Sequence, residues 1–391
     1  MQLSIIIVSY NVKYFLEHCL CSVRKAIDLE WGKDAGRECE VIVVDNFSSD
    51  QTIEYLRPKF PFVRFIRNDE NIGFARANNQ ALQLVIGKYV LFLNPDTIIP
   101  EDCFSKCLAF MDAHPLAGAL GVRMIDGRGQ FLKESKRGFP SPWAAFSKLS
   151  GLAGLFPKSE FYARYYLGHL NSNQTHVVDA LAGAFMFCKK TVLDKTKGFD
   201  EQFFMYAEDL DLSYRMQRAG FKNYYYPGCT IIHFKGESTK KDFRYVKLFY
   251  KAMGQFANKH FRGRFADLWM TMLDAAIGMR GAIAATESFV ISKWPFSEKN
   301  LYPIKTLIVG DDGLTDKFKH DLHENRDFVE ELYEAEEIIW CIDEEDNGYV
   351  RFIEMLRTNQ FPRKTRIYAN GCGAIISSDS KDKKGEVITV Y

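Results

Sequence analysis

The chain has 391 residues, more than the ~100–200 usual for one domain, so two domains or one large domain with an appendage are expected. Hydrophobic residues make up 47% of it, enough to bury a full core, and 51 lysines and arginines against 50 aspartates and glutamates leave a formal charge of +1. That balance excludes a global field drawing the protein to nucleic acid, so any anionic ligand must be held by a local site.

The opening run Met1 to Val8 is apolar but has no basic flank, and it is too short for a signal peptide or a membrane span. It is expected as a buried strand. The nine cysteines are scattered without a paired framework, and the helix-spaced Cys103 and Cys107 have no nearby histidine to complete a zinc site. Reduced core thiols in a cytosolic protein are the expectation.

From Leu3 to about Asn94, apolar β-branched runs alternate with helix-like stretches, the pattern of a parallel sheet with crossover helices. Strands are expected over Leu3 to Ser9, Glu40 to Val44, Phe62 to Ile66 and Lys88 to Leu93, with helices over Val12 to Ile27, Ser49 to Leu56 and Gly73 to Ile86. Polar clusters follow the strands: Ser9-Tyr10-Asn11, Asp45-Asn46 and Asn94-Pro95-Asp96. Ligands of open α/β sheets bind beyond the carboxyl ends of the strands, so these clusters are expected to share one crevice.

Pro140 to Asn173 is aromatic, aperiodic and punctuated by glycines; it reads as a substrate loop or a plain connector. Val177 to Lys189 is strand-like, and Ala207 to Arg218 reads as a helix. Asp242 to His260 reads as an aromatic helix. Phe265 to Trp294 is largely apolar but carries Asp267, Asp274, Arg280 and Glu287, which argues for an amphipathic helix packed on the protein or lying on a membrane surface. A second, small α/β pattern runs from Ile304: strands Thr306 to Val309, Glu337 to Cys341 and Arg366 to Tyr368, helices Asp316 to Glu324 and Tyr349 to Thr358. The division that follows is 1–255 catalytic, 256–300 linker and 301–391 accessory.

Asp45 ends an apolar strand, where its carboxylate could accept hydrogen bonds from a pyrimidine or ribose, or merely cap a turn. Asp96 ends the most apolar strand and could ligate a divalent cation that also binds pyrophosphate oxygens, or stand in a proline turn. Asn71, Gly73, Phe74, Arg76 and Asn79 gather amides and a charge at a helix start, a natural place for phosphate or ribose contacts. Glu208, Asp209 and Asp211 crowd one helical turn; Asp211 serves as the cap and Glu208-Asp209, after an aromatic run, as a general base. His233 could complete the metal shell with Asp96, though a strand-end histidine is more often structural.

Together these pieces resemble glycosyltransferase family 2, of the GT-A fold, in its rhamnosyltransferase-like branch. The matching segments are Ile7 to Asn11, Val43 to Asp50, Asn71 to Ala75, Leu93 to Thr97, Gly198 to Asp209 and His233, in the family's order. The resemblance implies that Ser9, Tyr10, Asn11 and Asp45 bind the nucleotide, with Asn71 to Asn79 along it and Asn94 beside Asp96. It further implies that Asp96 holds Mg²⁺ or Mn²⁺ with His233, and that Asp209 deprotonates the acceptor. Asp179 and Ala180 fall where such enzymes contact the acceptor, with alanine replacing the usual tryptophan.

The implied activity is inverting transfer of one sugar per encounter, from a nucleotide-diphosphate donor (dTDP-rhamnose or a UDP-hexose) to a saccharide or lipid-linked acceptor in cell-surface polysaccharide synthesis. The processive members' Gln-x-x-Arg-Trp motif does not occur. A cytoplasmic protein, with peripheral contact at the inner membrane face as a second reading, is expected. A sugar nucleotidyltransferase fits less well, because Ser9-Tyr10-Asn11-Val12-Lys13 has no glycine-rich loop. A non-catalytic scaffold need not keep Asp96 and Glu208-Asp209 together. The tail carries Gly310-Asp311-Asp312-Gly313 where a dinucleotide fingerprint would stand, so docking or stability is its expected role.

Overall fold

A computed structural model describes residues 1–141, 143, 147, 152–235, 243–261, 303–310, 312–322, 326–342, 347–358, 364–378 and 384–390. The expected amphipathic stretch from 265 to 294 lies outside the described residues, as does part of the 140–173 segment. No helix among the described residues is long and apolar enough to cross a membrane.

The first sheet has nine strands: β1 (Leu3–Ser9), β2 (Cys39–Asp45), β3 (Val63–Arg67), β4 (Tyr89–Leu93), β5 (Thr97–Ile98), β6 (Ala117–Ile125), β7 (His176–Val178), β8 (Phe185–Lys189) and β9 (Lys222–His233). Their order is β3-β2-β1-β4-β8-β6-β9-β5, with β7 also paired to β9. β1 to β4 are parallel, as the continuous apolar runs predict, because crossover helices cover both faces of such strands. β8 enters antiparallel between β4 and β6, which makes the whole sheet mixed. The strand-like run from Val177 to Lys189 breaks into β7 and β8, and the intervening turn Asp179 to Ala184 packs against the helix Glu208–Arg218.

The directions of these strands place the chemistry. β1, β2 and β4 run parallel, β6 runs antiparallel to β8 and hence with β4, and β9 runs parallel to β6. Ser9, Asp45, Asn94 and His233 therefore all stand at one end of the sheet, together with the entry to β8. Phe92 and Phe199, with ring centroids 4.7 Å apart, wedge the Gly198–Asp209 segment against this end.

The second sheet has six strands in the order β11-β10-β12-β13-β14-β15: β10 (Ile304–Val309), β11 (Arg326–Phe328), β12 (Glu337–Ile342), β13 (Lys364–Ala369), β14 (Ala374–Ser377) and β15 (Glu386–Thr389). It shares a core with the first part of the chain: Val12, Phe15, Ile98, Ile232 and Phe234 pack with Phe352, Ile353, Ile375 and Ile376. Polar contacts fix the seam. His18 Nε2 meets the Ala374 carbonyl at 2.8 Å, and the Glu101 carboxylate accepts the Tyr349 and Val350 amides, each at 2.8 Å.

Candidate active site

β1 and β2 end side by side, with Ser9 opposite Asp45 in the ladder. The turn after β2 is an Asx-type turn, in which Asp45 Oδ2 accepts the Ser48 amide at 3.1 Å. Asn11, at φ 54, donates its amide to Ser48 Oγ (2.9 Å) and accepts the Ser49 amide on Oδ1 (2.7 Å). One Asp45 oxygen thus builds the turn while the other, Oδ1, is buried without a partner, as is Ser9 Oγ. Burial pushes the Asp45 carboxyl above its usual range. Tyr10, half-buried, directly follows Ser9.

Asn46 ties this turn to the next segment. Its Nδ2 donates to Asn71 Oδ1 at 2.9 Å, and its Oδ1 accepts the Ile72 amide at 3.1 Å. Gly73 sits at φ +86, and a Cβ there would lie 2.6 Å from the Phe204 carbonyl oxygen, so only glycine lets the two backbones approach. The Phe74 amide donates to that same carbonyl at 2.9 Å. The expected ligand Asn79 is occupied structurally: its Nδ2 donates to the Phe199 carbonyl (2.8 Å) and its Oδ1 accepts the Phe199 amide (2.9 Å). Arg76 is exposed and faces Glu201 at 3.5 Å.

At the end of β4, Asp96 is buried, and the short antiparallel pairing of β5 with β9 brings Thr97 opposite His233. His233 Nε2 lies 3.3 Å from Asp96 Oδ1 and 3.4 Å from Asn94 Nδ2. The Asp96–His233 separation exceeds the ~2.7–2.9 Å of a charge-assisted hydrogen bond. It approaches the roughly 3.0 Å between neighbouring ligands of a cation that holds each at ~2.1 Å. A carboxylate beside an imidazole is a donor set that fits Mn²⁺ or Mg²⁺, the imidazole favouring Mn²⁺. His233 Nδ1 is buried without a partner, and Lys235, two residues on, pairs with Glu134.

The helix Glu208–Arg218 begins after two consecutive residues with positive φ, Tyr206 (φ 70) and Ala207 (φ 65). Such conformations are costly and persist where the surroundings enforce them. Asp209 is held on two sides: its Oδ2 accepts the Gly183 amide at 3.0 Å and Arg137 Nη2 at 2.5 Å, and its Oδ1 accepts the Leu210 amide at 2.7 Å. Glu208 is buried, and its Oε2 has no partner. Burial, and then the Asp209 charge, push the Glu208 carboxyl up to about 8. Because the Asn94 amide donates to Ala184, the residue after Gly183, Asp209 and Asp96 flank one corner between β4 and β8.

Asp211 does not cap the helix. It is fully buried and bonded to Arg215 (2.7 Å) on its own helix and to Lys259 (2.6 Å) and His260 (2.7 Å), which moor the helix Phe243–His260 to this one. Ala180 does not offer an acceptor contact either: it is fully buried, and its amide and carbonyl bond to the Arg137 backbone at 2.9 and 3.1 Å. Asp179, half-buried, accepts the Phe139 amide on Oδ2 at 3.3 Å.

Arg137 is the site residue that sequence reasoning missed. It is 72 residues from its partner Asp209, and nothing in Ser135-Lys136-Arg137-Gly138 distinguishes it from a solvated basic pair.

Residues 4–195 match the family model "Glycosyl transferase family 2". These residues form a family 2 glycosyltransferase domain. It is 27% identical over 252 residues to an N-acetylglucosaminyl-diphospho-decaprenol L-rhamnosyltransferase of Mycobacterium tuberculosis, spanning 61% of this chain and 78% of the relative. To the rhamnosyltransferase WbbL of Escherichia coli it is 29% identical over 180 residues, or 44% of this chain and 64% of the relative. A solved mannosyltransferase from Pyrobaculum calidifontis aligns with a TM-score of 0.46 at 18% identity, over 73% of this chain and 75% of its own. In this family 2 domain the mixed sheet flanked by helices is the GT-A architecture.

Proposed function

We propose that the enzyme transfers L-rhamnose from dTDP-rhamnose to a hydroxyl of a diphosphate-linked, lipid-borne saccharide, with inversion at the anomeric carbon. The observation that carries this reading is that the Asp209 carboxylate, the Asp96–His233 pair and two buried unpartnered oxygens, Ser9 Oγ and Asp45 Oδ1, gather at one end of the sheet. Ser9 Oγ and Asp45 Oδ1 are buried and unpartnered. Leaving each so costs ~1–3 kcal/mol, a cost that hydrogen bonds to a base or ribose remove. Tyr10, Asn11 and the Asn71–Phe74 segment line the nucleotide, and Asn94 borders its diphosphate.

Asp96 and His233 hold Mn²⁺ or Mg²⁺, which when bound neutralises charge on the departing diphosphate. Asp209 takes the proton of the acceptor hydroxyl as its oxygen bonds to the anomeric carbon and the bond to diphosphate breaks. Arg137 Nη2 donates to Asp209 Oδ2 and so holds that carboxylate in place. Glu208, whose carboxyl burial pushes up to about 8, keeps its proton at neutral pH and is the complementary partner. Asp179 borders the acceptor path. The donor and acceptor are chosen by likeness to the rhamnosyltransferase relatives. A lipid-borne acceptor also assigns the protein to the inner membrane face, and the second sheet, residues 301–391, to an accessory role.

A thermal-shift panel of dTDP-rhamnose, UDP-hexoses and GDP-mannose with Mn²⁺ tests the donor, because a ligand that binds the folded state raises Tm by mass action. The expected result is a shift for dTDP-rhamnose that EDTA removes. A larger shift with a UDP-hexose would replace the donor.

A further inference from the structure

Away from the catalytic corner, three cysteines converge in the core. Cys103 and Cys107 stand one turn apart on the helix Cys103–Ala113, and Cys229 faces them from β9. The three sulfurs lie within 4.8 Å of one another, and all three residues are fully buried. The helix pair alone lacks ligands for a metal, but the fold supplies the third.

Cys229 owes its position to an irregularity in β9. The ladder with β6 pairs Val122 with Tyr226 and then Arg123 with Thr230, which leaves Pro227, Gly228 and Cys229 out of register. A bulge of this kind re-aims a side chain away from the strand's regular alternation. Next to the cluster, Asp102 precedes the helix with its Oδ1 buried and unpartnered, while its Oδ2 pairs with Lys106 at 2.6 Å.

We propose that Cys103, Cys107 and Cys229 form a structural site for a thiophilic divalent cation, zinc in the first instance, with Asp102 Oδ1 as the candidate fourth ligand. Zinc with Zn–S distances of about 2.3 Å in tetrahedral geometry needs sulfurs roughly 3.8 Å apart, which side-chain rotation within the cluster supplies. Binding deprotonates the thiols, releasing up to three protons. Three thiolates and the Asp102 carboxylate around a divalent cation carry two net negative charges, of which the Lys106 ammonium, already paired with Asp102, offsets one. The site would clamp the helix to the bulged strand with softer donors than the Asp96–His233 pair offers, so the two sites select different metals.

The test uses the full chain, stripped with chelator under reducing conditions and titrated with Co²⁺. A thiolate-bound Co²⁺ gives sulfur-to-metal charge-transfer absorption in the near ultraviolet, which a carboxylate–imidazole site does not. The expected result is one equivalent of such absorption per chain, displaced by Zn²⁺ and kept in Asp96→Asn. It should be lost in Cys229→Ser and in the double variant Cys103→Ser/Cys107→Ser, and Zn²⁺ should raise the wild-type Tm by a few degrees. No charge-transfer band in the folded wild-type chain, or the same band in the double variant, would overturn the proposal. The wild-type spectrum decides the matter even if a serine variant fails to fold.

Discussion

The two sheets of this enzyme treat the carboxyl ends of their parallel strands in opposite ways. At that end of the nine-stranded sheet, Ser9 Oγ, Asp45 Oδ1 and His233 Nδ1 are buried and left without partners, and so is Glu208 Oε2 at the adjoining helix start. At that end of the six-stranded sheet Tyr349 OH is likewise buried without a partner, but the helix Gly348–Thr358, which begins where an anionic ligand would be welcomed, already has the Glu101 carboxylate accepting two of its amides. Its strands are likewise knitted by satisfied ions, Glu337 holding both Arg366 (2.5 Å) and Arg326 (3.1 Å). The same α/β geometry serves as a site where polar groups are left unsatisfied, and as a docking piece where the chain supplies its own anion.

The largest effect that would break this contrast belongs to the base. Asp209→Asn should lower turnover by ~10²–10⁴-fold while leaving donor affinity nearly unchanged, as read by steady-state kinetics beside calorimetric titration. Arg137→Ala should come next, since it strips a buried carboxylate of its charge partner; a loss of ~3–5 kcal/mol in denaturant unfolding is expected, with Arg137→Lys recovering part of it.

Glu208 sharpens the contrast through pH. Its carboxyl titrates near 8 in the fold against 4.5 for the unperturbed group. Between those values the folded chain keeps a proton that the unfolded chain has lost, so stability is complete below about 4.5 and is lost as pH rises through about 8. Glu208→Gln should therefore flatten the fall of Tm between pH 6 and 9, each unit of separation being worth about 1.4 kcal/mol at most. A wild-type Tm independent of pH over that span would contradict the assignment.

On the second sheet the smallest effect is expected. Glu101→Gln should weaken the cap on the helix Gly348–Thr358 by ~0.3–2 kcal/mol, seen as faster proteolysis between the two sheets with unchanged kcat.

Much of the first half was legible because its strands are continuous apolar runs that need no partner to be recognised; Leu3–Ser9 matches its expected bounds residue for residue. The second half was harder. Ala117–Ile125 opens with small residues that carry little strand signal, and the insertion of Phe185–Lys189 between β4 and β6 is a non-local choice no local pattern encodes. In the site, strand-end carboxylates announce themselves by position. Arg137 does not, since its role exists only once Ala180 pairs with its backbone and the Gly183 amide joins it on the Asp209 carboxylate. Asp211 misled for the same reason: three acidic residues in a first turn look alike until Lys259 and His260 arrive from a distant helix.

The central claim is that metal, donor and base share the corner between β4 and β8. Calorimetric titration of dTDP-rhamnose into Asp96→Ala, Asp209→Asn and wild type, each with Mn²⁺ and with EDTA, tests it most directly. The account predicts that Asp209→Asn binds as wild type does with Mn²⁺, that wild type loses binding in EDTA, and that Asp96→Ala loses it in both. Equal affinity with and without EDTA in the wild-type chain would contradict it.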